Sequence, residues 1–159
     1  MAYLDYDGMA LRTPDGIFAE CGARPFCAVA DTSSPLVGRA MKRLRGSLFN
    51  GGVLVLRPDA ATHARLLCGA REDALRPRAR WFAEQGFLNA AFSNWTRLPP
   101  GYNRQGAWFE RKKNRSEWRA DPERDVFVHE KLWRLSPVQR SAFGLEGVAL
   151  PPRRIAWAL

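Results

Sequence analysis

Histidine and cysteine are scarce in this 159-residue chain, two of the former and three of the latter. Cys21, Cys27 and Cys68 are odd in number and show no paired metal spacing. That argues against a zinc site and against a disulfide framework, and free thiols in a reducing compartment are expected. No apolar run nears the roughly 18 residues of a membrane span, and no basic region leads into an apolar signal core. Acidic residues are outnumbered, 16 against 25 Lys and Arg, which leaves a net charge of +9. Such a balance draws polyanions, nucleic acid first among them, or describes a solvated Arg-rich surface. The basic residues are spread over several segments and no RNA- or DNA-binding motif is present, so no nucleic-acid partner is expected. What is plentiful is core material: 46% of residues are hydrophobic and six are Trp, enough for one domain with a buried interior.

The chain is organised around Tyr3-Leu4-Asp5-Tyr6-Asp7. A short apolar strand over 1–5 runs into a turn that aims two carboxylates at one point, a pattern suited to a hard divalent cation and equally to a solvated turn. A second short strand is expected over 8–11, a turn at Pro14-Asp15-Gly16 and a buried strand over 25–30. The basic stretch 39–45 reads as a solvated helix face. Asn50-Gly51-Gly52 reads as a loop whose backbone, free of Cβ atoms, can approach a ligand. It feeds the best strand of the chain, Gly52-Val53-Leu54-Val55-Leu56, apolar enough to be buried on both faces.

Asp59 is expected to cap a helix over 60–70 with Ala61, Ala64, Leu67 and Cys68 on its inner face. Residues 71–80 read as a charged linker containing Pro77, and a second helix starts near Ala83 with Phe87, Leu88, Ala91 and Phe92 facing inward. Glu84 and Gln85 then fall in its first turn, where the helix dipole favours a carboxylate. The stretch 108–124 reads as a surface loop. A last strand, Val126-Phe127-Val128, delivers His129 at its end as the first strand delivers Asp5 and Asp7, with Lys131 and Trp133 close behind.

Taken in order, Tyr-Leu-Asp-x-Asp, Phe-Asn-Gly-Gly-Val-Leu-Val-Leu-Arg-Pro, Glu-Gln-Gly-Phe-Leu-Asn-x-x-Phe, Trp-x-x-Leu-Pro-x-x-Tyr-Asn and the strand-end His followed by Lys and Trp resemble glycosyltransferase family 8, in its glycogenin-like branch. The resemblance runs from about residue 2 to residue 133. It implies an α/β, GT-A-like fold, a catalytic domain over 1–135 that lacks the nucleotide-binding N-terminal half, and a tail over 136–159. The implied function is a retaining, metal-dependent hexosyltransferase. Its donor would be a uridine diphosphate (UDP) hexose, its metal Mn²⁺ or Mg²⁺, and its acceptor a glycan, a protein or a polyol. By the same resemblance Asp5, Asp7 and His129 are the metal ligands. Asp5, Tyr6, Asp7, Asn50, Gly51, Gly52 and Lys131 would bind the donor, and Glu84 and Gln85 would stand at the reacting face of the sugar. Glu84 is then either a nucleophile or a stabiliser of an oxocarbenium-like centre.

The alternative is a relative that binds sugar or a partner without catalysis, and a basic nucleic-acid-binding module is the more distant rival. An unpaired edge on the first strand is expected to invite aggregation or pairing with a second copy. Compartment is left open, the cytoplasm by default or the Golgi if a targeting segment precedes Met1.

Overall fold

The computed structural model describes residues 1–31, 48–71, 76–105, 120, 121 and 123–129, with the backbone alone over 76–83. The stretch 39–45, Lys131, Trp133, most of the 108–124 loop and the 136–159 tail lie outside the described residues.

Two adjoining strands carry the core. β3 (Phe26–Ala30) and β4 (Phe49–Leu56) pair antiparallel, with Cys27 opposite Val55 and Ala28 opposite Leu54. Side chains alternate between the faces of a strand, so Cys27, Val29, Val53 and Val55 enter one hydrophobic cluster while Phe26, Ala28 and Leu54 enter another. The first cluster is covered by Ile17 and Cys21 of α1 (Gly16–Cys21) and by Leu98 and Phe127. The second is covered by Leu88, Phe92 and Trp95, with the Phe92 ring stacked on Phe26 at 4.0 Å between centroids. Burial on both faces is what the apolar run 52–56 predicts, and it gives the mixed α/β class.

β1 (Ala2–Leu4) pairs antiparallel with the outer side of β4, and β5 (Thr96–Arg97) pairs parallel with β3, for a strand order β1-β4-β3-β5. Among the described residues β1 is an edge strand, and Tyr3 and Leu4 are exposed on it. A smaller sheet has the order β2-β7-β6: β2 (Gly8–Ala10) runs antiparallel to β7 (Phe127–His129), and β6 (Arg104–Gln105) runs parallel to it. A 3₁₀ turn, Pro100–Asn103, leads into β6.

Four expectations are corrected here. Cys21 and Cys27 form a disulfide, with Cα atoms 5.9 Å apart, and Cys68 stands outside it. The end of α1 and the start of β3 are brought back together by a turn in which Gly22 has φ 57°, a conformation that favours glycine. Neither an odd count nor a spacing of six encodes that proximity.

The helix α2 (Ala60–Arg71) has its expected cap, Thr62 N–H donating to Asp59 Oδ1 at 2.7 Å. Its predicted inner face, however, is exposed: Ala61, Ala64, Leu67 and Cys68 face solvent, while Thr62, Leu66 and Gly69 are half-buried. α2 is docked through Arg65 instead, which donates to Ala91 O at 2.7 Å and lies over the Phe92 ring.

The third correction is to the linker. α3 spans Arg76–Ala91, so part of the predicted linker is helix, with Pro77 in the first turn, where its missing N–H costs no helical bond. Lastly, Asn50 and Gly51 belong to β4, together with the expected Gly52, rather than to a segment before it. Between Ala28 and Ala30 of β3 the partner on β4 moves from Leu54 to Phe49, so β4 carries surplus residues there and bulges.

Candidate metal centre

The site lies where the two sheets meet. β1 ends against β4 with the Asp5 N–H donating to Gly52 O at 2.8 Å. The Tyr6 N–H donates back to Asp5 Oδ1 at 2.9 Å, which closes the turn and leads the chain through Asp7 into β2. The β2–β7 register sets Gly8 opposite His129, so Asp7, one residue earlier, lies beside the end of β7. Strand pairing alone thus brings residues more than 120 positions apart into contact. His129 Nε2 stands 2.8 Å from Asp7 Oδ1 and 3.6 Å from Asp5 Oδ2.

One ligand atom from each of Asp5, Asp7 and His129 lies within 4.8 Å of the other two. Asp7 and His129 are buried, and Asp7 Oδ1 has no hydrogen-bond partner although the His129 ring stands beside it. A buried carboxylate oxygen left that way is costly in a metal-free protein. Two carboxylates and an imidazole are a donor set that fits a divalent cation.

The electrostatics agree with a concentration of negative charge. Burial first, and then the Asp7 carboxylate, push the Asp5 carboxyl above its usual range; the His129 ring and the Tyr6 N–H pull the other way, and Glu84 adds to the rise. The Tyr3 phenol is likewise raised, by burial and then by Asp5 and Glu84. Tyr6 is raised by burial and then by Asp7 and Asp5, although its side chain is largely exposed. Glu84, itself exposed, therefore acts on the same cluster from α3.

The bulged half of β4 is held by side chains in place of a neighbouring strand. Gln85 Oε1 accepts from the Gly51 N–H at 2.8 Å. One helical turn on, Asn89 Oδ1 accepts from the Phe49 N–H and its Nδ2 donates to Phe49 O, both at 2.9 Å. Gln85 Nε2 donates to Asp31 Oδ2 at 2.8 Å, so its amide is engaged at both ends. Because α3 begins at Arg76, Glu84 and Gln85 sit well inside it. The expected dipole benefit for a first-turn Glu84 is gone, since that benefit fades within one turn. Asn50 Oδ1 accepts from the Gly52 N–H and from Asn103 Nδ2, each at 2.9 Å, and faces His129 Nδ1 at 3.1 Å.

No protein-family model matches the sequence, and a search of curated proteins finds no match. The geometry unites Asp5, Asp7 and His129, sets Asn50 and Gly52 directly behind the imidazole, and brings Gly51 and Gln85 together at the bulge. Lys131 lies outside the described residues. Asn103 and Asp31 were not singled out as site residues in the sequence. Asn103 is buried beside Asn50, and the signal for it was its place as the last residue of the Trp-x-x-Leu-Pro-x-x-Tyr-Asn motif.

Proposed function

We propose that Asp5, Asp7 and His129 bind Mn²⁺ or Mg²⁺ and that the chain is a GT-A-like, metal-dependent hexosyltransferase acting with retention on a UDP-hexose. The observation that carries the reading is the convergence of the three ligand atoms, one of them a buried carboxylate oxygen that has no hydrogen-bond donor. The order of motifs shared with glycosyltransferase family 8 supports the donor class and an acceptor that is a glycan, protein or polyol. Bound there, the cation supplies positive charge against a diphosphate as its departing oxygen becomes negative.

The chain's own residues do the rest. Asp5 and Asp7 would hold the cation's charge at the end of β1, and the Asn89 and Gln85 contacts hold α3 against β4, with Glu84 next to Gln85 on that helix and near enough to the cluster to add to the rise of the Asp5 carboxyl. There Glu84 presents a negative charge to an electron-poor anomeric carbon, as a stabiliser or as a nucleophile. Gln85 keeps Gly51 in place. The Cys21–Cys27 bond supports an oxidising compartment over the cytoplasm.

The test is UDP release from UDP-glucose by the purified chain with and without Mn²⁺, beside Asp7→Asn. Release that requires Mn²⁺ and vanishes in the variant is expected. Mn²⁺ binding without release would leave the metal site standing and move the reading to a sugar- or partner-binding relative without catalysis. Nucleic-acid binding that falls steeply with salt and ignores Mn²⁺ would replace both.

A further inference from the structure

We infer that Asn50 and Gly52 are positioning residues for His129, fixing the imidazole tautomer that turns its Nε2 lone pair toward Asp5 and Asp7. The inference rests on the metal-binding reading above and assigns these two residues a task other than contact with a donor sugar.

The chain of donors and acceptors starts from a group that cannot be flipped. The Gly52 main-chain N–H is a donor, and it points at the Asn50 side chain at 2.9 Å, so the atom it meets is the amide oxygen. That oxygen only accepts, so the Asn103 amide must turn its Nδ2 toward it, as it does at 2.9 Å. The third neighbour, His129 Nδ1 at 3.1 Å, must then carry a proton. A neutral ring protonated at Nδ1 has its lone pair on Nε2. Nε2 faces the two carboxylate oxygens at 2.8 and 3.6 Å. A lone pair set against two anionic oxygens is repulsive, and a divalent cation among the three converts that repulsion into coordination.

Metal-bound histidines are commonly oriented in this way by an acceptor on the far ring nitrogen. Asn50 plays that part here, and it is buried. With three donors on one carbonyl-type oxygen, its acceptor capacity is used up. Gly52 supplies the room: a Cβ there would overlap Nδ1 and Cε1 of the ring and stand 2.8 Å from its Cγ. The ring cannot yield by sliding, because β7 is held between β2 and β6.

Two measurements test this without turnover. The chain has only two histidines, and exposed His63 serves as the reference. Two-bond ¹H–¹⁵N spectra of the metal-free wild-type chain at alkaline pH, where imidazole is neutral, should show His129 protonated at Nδ1. Separately, Mn²⁺ affinity is measured in the absence of nucleotide for wild type, Asn50→Leu, Asn50→Asp and Gly52→Ala. The leucine and alanine variants should bind about 10- to 100-fold more weakly. Asn50→Asp, which keeps an acceptor at the same place, should retain binding.

An Nε2-protonated ring in the wild-type chain, or Asn50→Leu binding Mn²⁺ as wild type does, overturns the inference. A wild-type chain that binds no Mn²⁺ overturns the metal reading instead, and the tautomer spectrum still decides the positioning of His129. Because that spectrum needs no variant, misfolding of Asn50→Leu cannot shield the inference.

Discussion

The two halves of β4 are built on opposite principles. From Val53 to Leu56 the strand is apolar, paired on both sides with β1 and β3, and packed into both hydrophobic clusters. From Phe49 to Gly52 it slips out of register, and Gln85, Asn89 and Asn50 supply side-chain partners for its peptide groups. The regular half provides stability, since continuous pairing satisfies the backbone and leaves every side chain free to bury apolar area. The irregular half gives up that economy for shape, placing a glycine and an amide where an imidazole has to sit. A strand can do both because the anchored half holds the bulged half in position.

Perturbing one half should therefore leave the other half's property intact. The largest effect expected is from Leu54→Ala in the regular half, which should cost about 2–5 kcal/mol of unfolding free energy in a denaturant titration. Mn²⁺ affinity of the folded protein should be unchanged; a parallel loss of metal binding at concentrations where the variant is folded would dissolve the distinction. Next comes reduction of the Cys21–Cys27 bond, which braces β3 where Cys27 faces Val55. Closing so short a loop stabilises by about 2 kcal/mol, so reductant should lower the melting temperature, again without effect on Mn²⁺ affinity.

Gln85→Leu probes the irregular half. It strips the Gly51 N–H of its acceptor and Asp31 of a donor. The expected cost is about 1–3 kcal/mol, read in the same titration, and any donor hydrolysis should fall because Glu84 loses its footing.

The smallest effect is a pH dependence. The folded-state pKa of Asp5 lies above the usual 3.8, so its contribution to stability is full below that value and is lost as pH rises through the raised one. In chelator, the wild-type melting temperature should decline relative to Asp5→Asn as pH is raised from acid to neutral. Added Mn²⁺ should oppose the decline, because a bound cation stabilises the ionised form. A difference between the two proteins that is flat with pH would mean that neither burial nor the Asp7 carboxylate disfavours the ionised Asp5 in the fold.

Much of the framework was legible locally. The apolar runs that became β3 and the regular half of β4 declare themselves by composition, and the Asp59 cap by residue type and place. The Asp5 and Asp7 pair could be read as suited to a cation because it follows a strand end, whereas His129 joined it as a ligand only through the family resemblance. The misread places share a cause. The face that α2 presents was judged by its apolar residues, but among the described residues it is Arg65 that docks the helix, on Ala91 O at the end of α3 and on the Phe92 ring. Pro77 looked like a break because a proline in mid-helix is one, whereas the helix simply begins beside it. Asn50-Gly51 looked like the approach to a strand because a bulge uses the same residues as a turn.

What the amino-acid sequence determined by itself, then, is the set of strands rich enough in apolar side chains to be buried and the chemical inventory for a cation site. These follow from local composition and period. Only the tertiary structure decided that Cys21 meets Cys27, that the β2–β7 register carries Asp7 to His129, and that Asn50 stands behind the ring. The last two meetings join segments far apart in the chain and depend on how strands pair, and the first depends on a turn at Gly22 that residue type and spacing do not specify.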